Sequence, residues 1–275
     1  MSPFLKIGEL PSLGAMPYFF PLKHLFHEPN WQFMPGSPLE LEHSLARGEL
    51  DIALVSPLVL CEAPNDYLIL PGLGYSARRH VKDMLLFSDI LLDDMDEMSV
   101  SLQDGAVITS AMIQVILTKY LQYQINFING WGGAESFVLE GDPALRERML
   151  ARYTYVYDMG DLWSHYTREP MIYYLWVVRR SALREKHAQL VLFHRLLRQA
   201  YEVSRSDWSR LAALVRGGYE WLRKPSMIQL WTNLEYEIEE PSFDGLKRFF
   251  EDAYEVSVVD EVPDLEFFEP EWNFS

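Results

Sequence analysis

The chain has 275 residues, 49% of them hydrophobic, which is enough to bury a sizeable core in one large or two small globular domains. Its formal net charge of −16 argues against nucleic acid as a partner, because phosphate binding depends on clustered lysine and arginine. Its single cysteine, Cys61, excludes an intrachain disulfide and a cysteine-based metal site.

The first residues lack the basic start and the long apolar core of a signal peptide. No stretch of the chain approaches the about 18–20 consecutive apolar residues that a membrane-spanning helix needs. We therefore expect a cytoplasmic protein that has no membrane partner.

The amino-terminal part of the chain alternates predicted strands and helices. Strands are expected at 4–7, 31–34, 52–55, 67–70 and 81–88, with a helical or mixed segment at 18–26 and a helix at 38–47. The strand Ile52–Val55 is apolar on both faces, which favours a central strand of a parallel sheet covered by helices. Because ligands of such sheets bind beyond the carboxyl ends of the strands, Ser56 marks a candidate binding position.

A second series of elements follows the same alternation and then becomes helical. Strands are expected at 98–102, 125–128, 136–139, 154–157 and 171–178, and helices at 106–121, 143–153, 182–203, 207–219, 227–233 and 244–254. The last segment, 259–275, is acidic and aromatic, which is consistent either with disorder or with packing on the chain's own surface.

This order of elements predicts an α/β fold of two lobes. We expect residues 1–90 together with 180–275 to form one lobe, and residues 91–179 to form the other. The long apolar strands at 81–88 and 171–178 are predicted to be the two hinge connections across a central cleft. Folds with this plan commonly close around a ligand.

Three groups of polar residues are candidates for binding. Arg78 and Arg79 suit a carboxylate, and ordinary surface charge is the alternative. Thr109 and Ser110 lie near a predicted helix start, where hydroxyls and free amides form an anion site or simply cap the helix. Asp158 ends a strand at the predicted cleft, with a structural turn as the alternative. No nucleotide-binding motif and no set of metal ligands is present, so no cofactor and no metal are predicted.

Several of these stretches, in their order along the chain, resemble one family. They are 45–55, 70–74, 84–88, Thr109-Ser110, 140–145, 157–163, 171–180 and 245–249. The family is the chorismate dehydratase of the futalosine route to menaquinone, which has the type II periplasmic-binding-protein fold. The resemblance implies two lobes with a central cleft and two hinge connections.

The resemblance also implies an activity, a lyase reaction in which chorismate loses water and gives 3-[(1-carboxyvinyl)oxy]benzoate. Neither a redox cofactor nor a metal is implied, and the enzyme must hold the two carboxylates of its substrate. The predicted substrate-binding residues are Ser12, Ser56, Arg78, Arg79, Thr109, Ser110 and Asp158. A small-molecule carboxylate is therefore the expected partner, and a homodimer is left open.

The chain departs from the family pattern at polar positions of the site. Gly14 stands where the family has an asparagine that lines the active site, and glycine carries no donor. Asp83 replaces a serine, and it is either a catalytic base or the mark of a changed pocket. The segment 56–59 lacks the glutamate that often ends this strand in the family. Two hypotheses follow: a divergent chorismate dehydratase, or a non-catalytic or repurposed homologue that binds a carboxylate or aromatic metabolite.

Overall fold

The computed structural model describes residues 4–26, 28–130 and 132–270. The strands are β1 (Leu5–Glu9), β2 (Trp31–Pro35), β3 (Ile52–Val55), β4 (Tyr67–Ala77), β5 (Met84–Ser88), β6 (Ser99–Leu102), β7 (Asn126–Asn129), β8 (Ser136–Glu140), β9 (Tyr155–Asp158), β10 (Met171–Arg179) and β11 (Glu235–Glu237). The α-helices are α1 (Met16–His24), α2 (Pro38–Ala46), α3 (Val59–Glu62), α4 (Val107–Val115), α5 (Asp142–Leu150), α6 (Met159–Thr167), α7 (Leu183–Ser206), α8 (Trp208–Leu214), α9 (Lys224–Asn233) and α10 (Glu240–Glu255). None of the helices in these ranges is long and apolar enough to cross a lipid bilayer.

Each of the two lobes is built on one mixed sheet. In the first lobe the strand order is β11-β4-β10-β3-β1-β2, and helices α2 and α7 pack against this sheet. In the second lobe the order is β7-β6-β8-β5-β9, and helices α4, α5 and α6 pack against it. Two sheets covered by helices give the two-lobed α/β architecture that the sequence predicts.

The segment around β3 folds as its sequence pattern predicts. Ser37 begins α2 with a capping box, in which its hydroxyl accepts from the Glu40 amide and the Glu40 carboxylate accepts from the Ser37 amide. All residues of β3 are buried, and the strand pairs in parallel with β1 and antiparallel with β10. The interior position of β3 is therefore confirmed, and the sheet around it is mixed rather than parallel.

The strand pairing corrects the predicted boundaries of the lobes. β5, which the sequence places in the first lobe, pairs with β8 and β9 of the second sheet. β10, which the sequence places in the second lobe, pairs with β3 and β4 of the first sheet. The chain thus crosses between the lobes in the short segments 78–83 and 168–170, and not along the strands themselves. An apolar run predicts that a strand is buried, but it does not say in which sheet.

β4 also differs from its prediction, because it does not end at Pro71 and Gly72. It continues to Ala77, and its pairing with β10 shifts register between Ile69 and Gly74. The resulting bulge accommodates a proline without a ladder hydrogen bond and a glycine with a φ of +77°. The helix α6 and the short edge strand β11 were not expected from the sequence either.

The carboxy-terminal segment packs on the first lobe as far as it is described. The Ile69 amide donates to the Glu266 carbonyl at 2.8 Å, and the Phe268 amide donates to the Ile69 carbonyl at 2.8 Å. The Phe268 side chain is only 2% exposed. For residues 259–270 the packing alternative is therefore correct, and residues 271–275 lie outside the described part of the chain.

Helix α10 packs against both β10 and α4, so it contacts both lobes. Lys119, just after α4, places its Nζ 2.6 Å from the Asp252 carboxylate of α10. Near its start, α10 passes so close to the second crossing segment that a Cβ at Gly245 would lie 1.9 Å from the Pro170 carbonyl oxygen. A glycine is therefore required where this helix crosses the connection between the lobes.

We predict that Gly245→Ala lowers the free energy of unfolding by about 1–3 kcal/mol, because backbone atoms must move to admit the methyl group. The matched control is Gly217→Ala, since no heavy atom lies within 4 Å of a Cβ at that position. We expect this control to stay within about 0.5 kcal/mol of the unchanged protein. Urea denaturation followed by circular dichroism measures both, and equal midpoints for the two variants would contradict the close contact.

Candidate functional site

A cavity of about 210 Å³ lies where the two lobes meet. The first lobe contributes the loop after β1, with Leu10 and Ser12, and the aromatic rings of Tyr75 and Tyr174. The crossing segment contributes Asp83, and the second lobe contributes Gly105 and residues 140–143. This is the position that a ligand would take in a cleft between two lobes.

Apart from the tyrosines, the ionisable side chains among the described residues that line this cavity are all acidic. Its lining contains the carboxyl groups of Asp83, Glu140 and Asp142, and no lysine, arginine or histidine is among the described residues that line it. Neither in this cavity nor elsewhere in the described ranges is a group of three or more histidine, cysteine, aspartate or glutamate side chains arranged to hold a metal ion. The electrostatics of the site therefore depend on how each of the three acids is satisfied.

Asp83 is a buried acid with one unused oxygen. The residue is 1% exposed, its Oδ2 accepts the Tyr75 hydroxyl at 2.6 Å, and its Oδ1 has no hydrogen-bond partner. Burial raises the pKa of Asp83 well above its usual range, against the opposing effect of the Tyr75 hydrogen bond, and the nearby Glu140 raises it further. The protonated form is thus favoured, with Oδ1 as the oxygen that can carry the proton. The sequence left Asp83 either as a catalytic base or as the mark of a changed pocket, and the structure places it in the lining of the cavity.

Glu140, at the end of β8, is satisfied entirely by donors. Its Oε2 accepts the Thr109 amide at 3.2 Å and the Thr109 hydroxyl at 2.8 Å, and its Oε1 accepts the Tyr174 hydroxyl. Burial raises the pKa of Glu140, and the donors from Tyr174 and Thr109 oppose this rise. The Thr109 amide and hydroxyl, expected either to bind an anion or to cap the helix, thus donate to a carboxylate of the protein itself. The neighbouring Ser110 hydroxyl is buried without a hydrogen-bond partner.

Tyr75 occupies the space that a side chain at Gly14 would need. A Cβ at Gly14 would lie 2.7 Å from the Tyr75 hydroxyl oxygen. The Tyr75 ring stacks between Tyr174, at 5.5 Å between centroids, and Tyr236, at 6.1 Å. The Tyr236 hydroxyl in turn donates to the Gly14 carbonyl at 2.7 Å. A phenol from β4 therefore replaces the asparagine that the family resemblance leads one to expect at position 14.

Asp142 links the two lobes beside the cavity. It is the first residue of α5, and its Oδ1 accepts the Leu13 amide of the first lobe at 2.9 Å. Burial raises the pKa of Asp142, while the Leu13 amide and the Tyr219 hydroxyl act in the opposite direction. Its neighbour across this contact, Ser12, lines the cavity as predicted for a substrate-binding residue.

Ser56, predicted as a binding residue, does not line this cavity. It is fully buried; its amide donates to Glu42 Oε1 at 3.2 Å, and its hydroxyl accepts the Leu58 amide at 3.2 Å. Ser56 thus closes the turn after β3. The position beyond the carboxyl end of this strand is filled by the chain itself.

The two arginines and Asp158 also lie away from the cavity. Arg78 pairs with Glu235 at 2.8 Å and Arg79 with Asp161 at 2.6 Å, and both guanidinium groups are exposed. The Asp158 carboxylate accepts amide hydrogens from the start of α6 and from Val81 and Lys82. Asp158 therefore fixes the first crossing segment and caps α6, which corresponds to the structural alternative.

Sequence reasoning missed three residues of the site, Tyr75, Tyr174 and Glu140. Tyr174 was expected only as part of the strand 171–178. Tyr75 lay beyond the predicted end of β4, so no position in the sheet was assigned to it. Glu140 was seen only as the first residue of the turn before α5. One signal was present: a glutamate directly after the apolar run Val138-Leu139 is a charged residue at the end of a buried strand.

A family profile and a single relative both match most of the chain. The sequence profile of a family described as menaquinone biosynthesis matches residues 5–255. A chorismate dehydratase from Thermus thermophilus is 24% identical over 255 residues, which cover 84% of this chain and 90% of that protein.

Solved structures of other proteins share the fold. The CA3427 gene product of Candida albicans, described as having the generic periplasmic-binding-protein fold, superposes with a TM-score of 0.72 at 9% identity, covering 99% of this chain and all of that one (100%). The periplasmic aliphatic sulphonate binding protein SsuA from Escherichia coli gives a TM-score of 0.64 at 14% identity, with 96% of each chain covered. The predicted periplasmic-binding-protein-like fold is thereby confirmed.

The raised pKa of Asp83 predicts a pH dependence of stability. Between the unfolded value of about 3.9 and the raised folded value, the folded state holds more protons, so stability falls as pH rises. Asp83→Asn keeps an acceptor for Tyr75 but does not titrate. We therefore expect this variant to gain stability relative to the unchanged protein as pH increases from about 4 to about 8, at up to about 1.4 kcal/mol per unit of pKa shift. Urea denaturation across this pH range measures the difference.

Asp89→Asn is the control, because its effect on stability is expected to depend on pH in the opposite direction. The Thr154 amide and hydroxyl donate to the exposed Asp89 carboxylate and lower its pKa, so its contribution is present at neutral pH and is lost as pH falls. This variant should be less stable than the unchanged protein at neutral pH and equal to it in acid. The same pH slope for both variants would contradict the assignment of a buried, protonated Asp83.

Proposed function

Because the chain belongs to the menaquinone-biosynthesis family, we propose that its cavity binds a compact, uncharged ring compound rather than a dicarboxylate such as chorismate. The observation that carries this proposal is the cavity lining, in which the ionisable groups besides the tyrosines are the acids Asp83, Glu140 and Asp142. A ligand without negative charge fits such a lining, and the family match supports a small cyclic metabolite as the kind of ligand.

Repulsion between a bound anion and the acids of the cavity is large enough to decide which ligands can bind. Two like charges about 4 Å apart repel by about 4 kcal/mol at an effective dielectric constant of 20. Chorismate carries two carboxylates, and none of the described residues that line the cavity is a cation that could offset either of them. The start of α4, which suits an anion, already holds Glu140 through the Thr109 amide and hydroxyl. A dianion would have to displace the Glu140 carboxylate from these donors and would also approach Asp142.

The remaining contacts describe the ligand more closely. The walls are largely apolar, with Leu10, Pro11, Pro38 and Met84 among them. Transfer of a hydrocarbon ring from water into this cavity is therefore favourable. The protonated Oδ1 of Asp83 is a donor without a partner, and it can meet a carbonyl or hydroxyl oxygen of the ligand. The ligand is therefore an apolar ring that carries at least one acceptor oxygen.

A second candidate function is the dehydration of chorismate by the futalosine route, as in the family that the sequence resembles. It is favoured by the family match over residues 5–255 and by Asp83, which in its protonated form can protonate a departing hydroxyl. In this reaction the hydroxyl leaves as water, the ring loses a proton, and the aromatic ring of the product forms. Gly14 and the missing basic residues weigh against it.

One experiment separates the two candidates. Purified protein is incubated at high concentration with chorismate, and the aromatic product is sought by liquid chromatography, with the Thermus thermophilus chorismate dehydratase as positive control. In parallel, thermal unfolding is recorded with methyl 3-hydroxybenzoate, with 3-hydroxybenzoate and with chorismate. We predict no product, and a concentration-dependent rise of the melting temperature with the ester alone.

The variant Asp83→Ala should weaken the effect of the ester because it removes the donor, whereas Asp89→Ala at the surface should leave the effect unchanged. Product that forms in proportion to the amount of enzyme would overturn the proposal in favour of chorismate dehydration. A larger stabilisation by chorismate than by the ester would also overturn it, because the lining would then accept the dianion.

A further inference from the structure

We infer that Glu140 is a built-in ligand that keeps carboxylates out of the cavity, so that this one residue determines which charge class the site accepts. The inference rests on the proposed function only in placing the ligand in this cavity. It assigns to Glu140 a specificity-determining role that is separate from any chemistry of Asp83.

The contacts of Glu140 are those that a bound carboxylate ligand would make. One oxygen accepts an amide and a hydroxyl from Thr109 in the first turn of α4, and the other accepts the Tyr174 hydroxyl. Amides and hydroxyls at a helix start are typical partners of bound anions. These donors come from both lobes, since Thr109 belongs to the second and Tyr174 to β10 of the first. Glu140 thus completes its contacts where the lobes meet.

A second observation shows that this position belongs to a ligand site and is not only a helix cap. Glu140 is 6% exposed, and what remains exposed borders the cavity. The same cavity is lined by Asp83, whose buried Oδ1 has no hydrogen-bond partner within the described residues. An unsatisfied buried polar atom beside a cavity indicates that a further group is to be bound there.

A tethered carboxylate competes strongly with a free one. Because Glu140 is covalently held beside its donors, its effective concentration far exceeds that of any dissolved ligand. A free carboxylate must also approach the negative charge of Glu140 itself. Removing this side chain therefore has two effects in the same direction, since it frees the donors of Thr109 and Tyr174 and removes the repulsion.

The test compares one acid with its own methyl ester. Binding of 3-hydroxybenzoate and of methyl 3-hydroxybenzoate is measured by isothermal titration calorimetry for the unchanged protein and for Glu140→Ala. We expect the variant to bind the acid at least about tenfold more tightly than the unchanged protein does, which corresponds to about 1.4 kcal/mol. The affinity for the ester should change little, because the ester has no negative charge to accept strong hydrogen bonds from the freed donors.

Three further variants identify the cause. Glu251→Ala removes an exposed carboxylate of α10 and should leave the affinity for the acid unchanged, which controls for net charge. Thr109→Val combined with Glu140→Ala should reverse most of the gain, because the hydroxyl donor is lost. Glu140→Gln removes the charge but keeps one acceptor oxygen for the Thr109 amide and hydroxyl, and its NH2 can donate to the Tyr174 hydroxyl oxygen, so it should give a smaller gain than Glu140→Ala.

Two results would overturn the inference. Equal gains for the acid and the ester would mean that the substitution only enlarged the cavity. No gain for the acid in a variant that still unfolds cooperatively would mean that Glu140 has a structural role alone. If Glu140→Ala does not fold, Glu140→Gln decides, and its failure to improve binding of the acid counts against the inference. Binding of the ester by the unchanged protein tests the proposed function separately.

Discussion

Removing carboxyl groups from water is the constraint that organises the place where the lobes meet. Within the described residues, Asp83 and Glu140 are buried without a cation and accept from neutral donors, mainly the phenols of Tyr75 and Tyr174, while Asp83 Oδ1 has no partner. Both phenols belong to the first lobe, and Asp142 of the second lobe likewise accepts an amide from the loop after β1. The hydrogen bonds that offset the desolvation of the acids are therefore also the bonds that hold the two lobes against each other.

Local patterns sufficed for elements whose neighbours in sequence decide their structure. The capping box at Ser37 and the apolar run of β3 predicted a helix start and a buried strand, and both are present. Local patterns gave wrong predictions where contacts with residues distant in sequence determine the structure. The sheet to which β5 and β10 belong, and the continuation of β4 through Pro71, depend on which strands lie beside them. No property of the run itself contains that information.

The candidate site shows the same difference between what local sequence predicts and what contacts between distant residues determine. The family resemblance led to the loop with Ser12, to Asp83 and to Thr109, because these positions correspond to site positions of the family that the chain resembles. It could not show that Glu140 fills the anion position, since that contact joins the end of one strand to the start of a helix far away in sequence. It also could not show that Arg78 is paired with a residue near the carboxy terminus, Glu235, and is therefore turned away from the cavity.

The pairing of β10 imposes an order of events on a chain that is made from its amino terminus. Strands β5 to β9 are contiguous in sequence, so the sheet of the second lobe can form as soon as residue 158 has been synthesised. The sheet of the first lobe cannot, because Val55 pairs with Leu175 and Ile69 with Val177. During synthesis, β3 and β4 lack this partner until residues 171–179 have been made, which is after all strands of the other lobe. Such exposed strand edges are where chaperones bind and where aggregation begins.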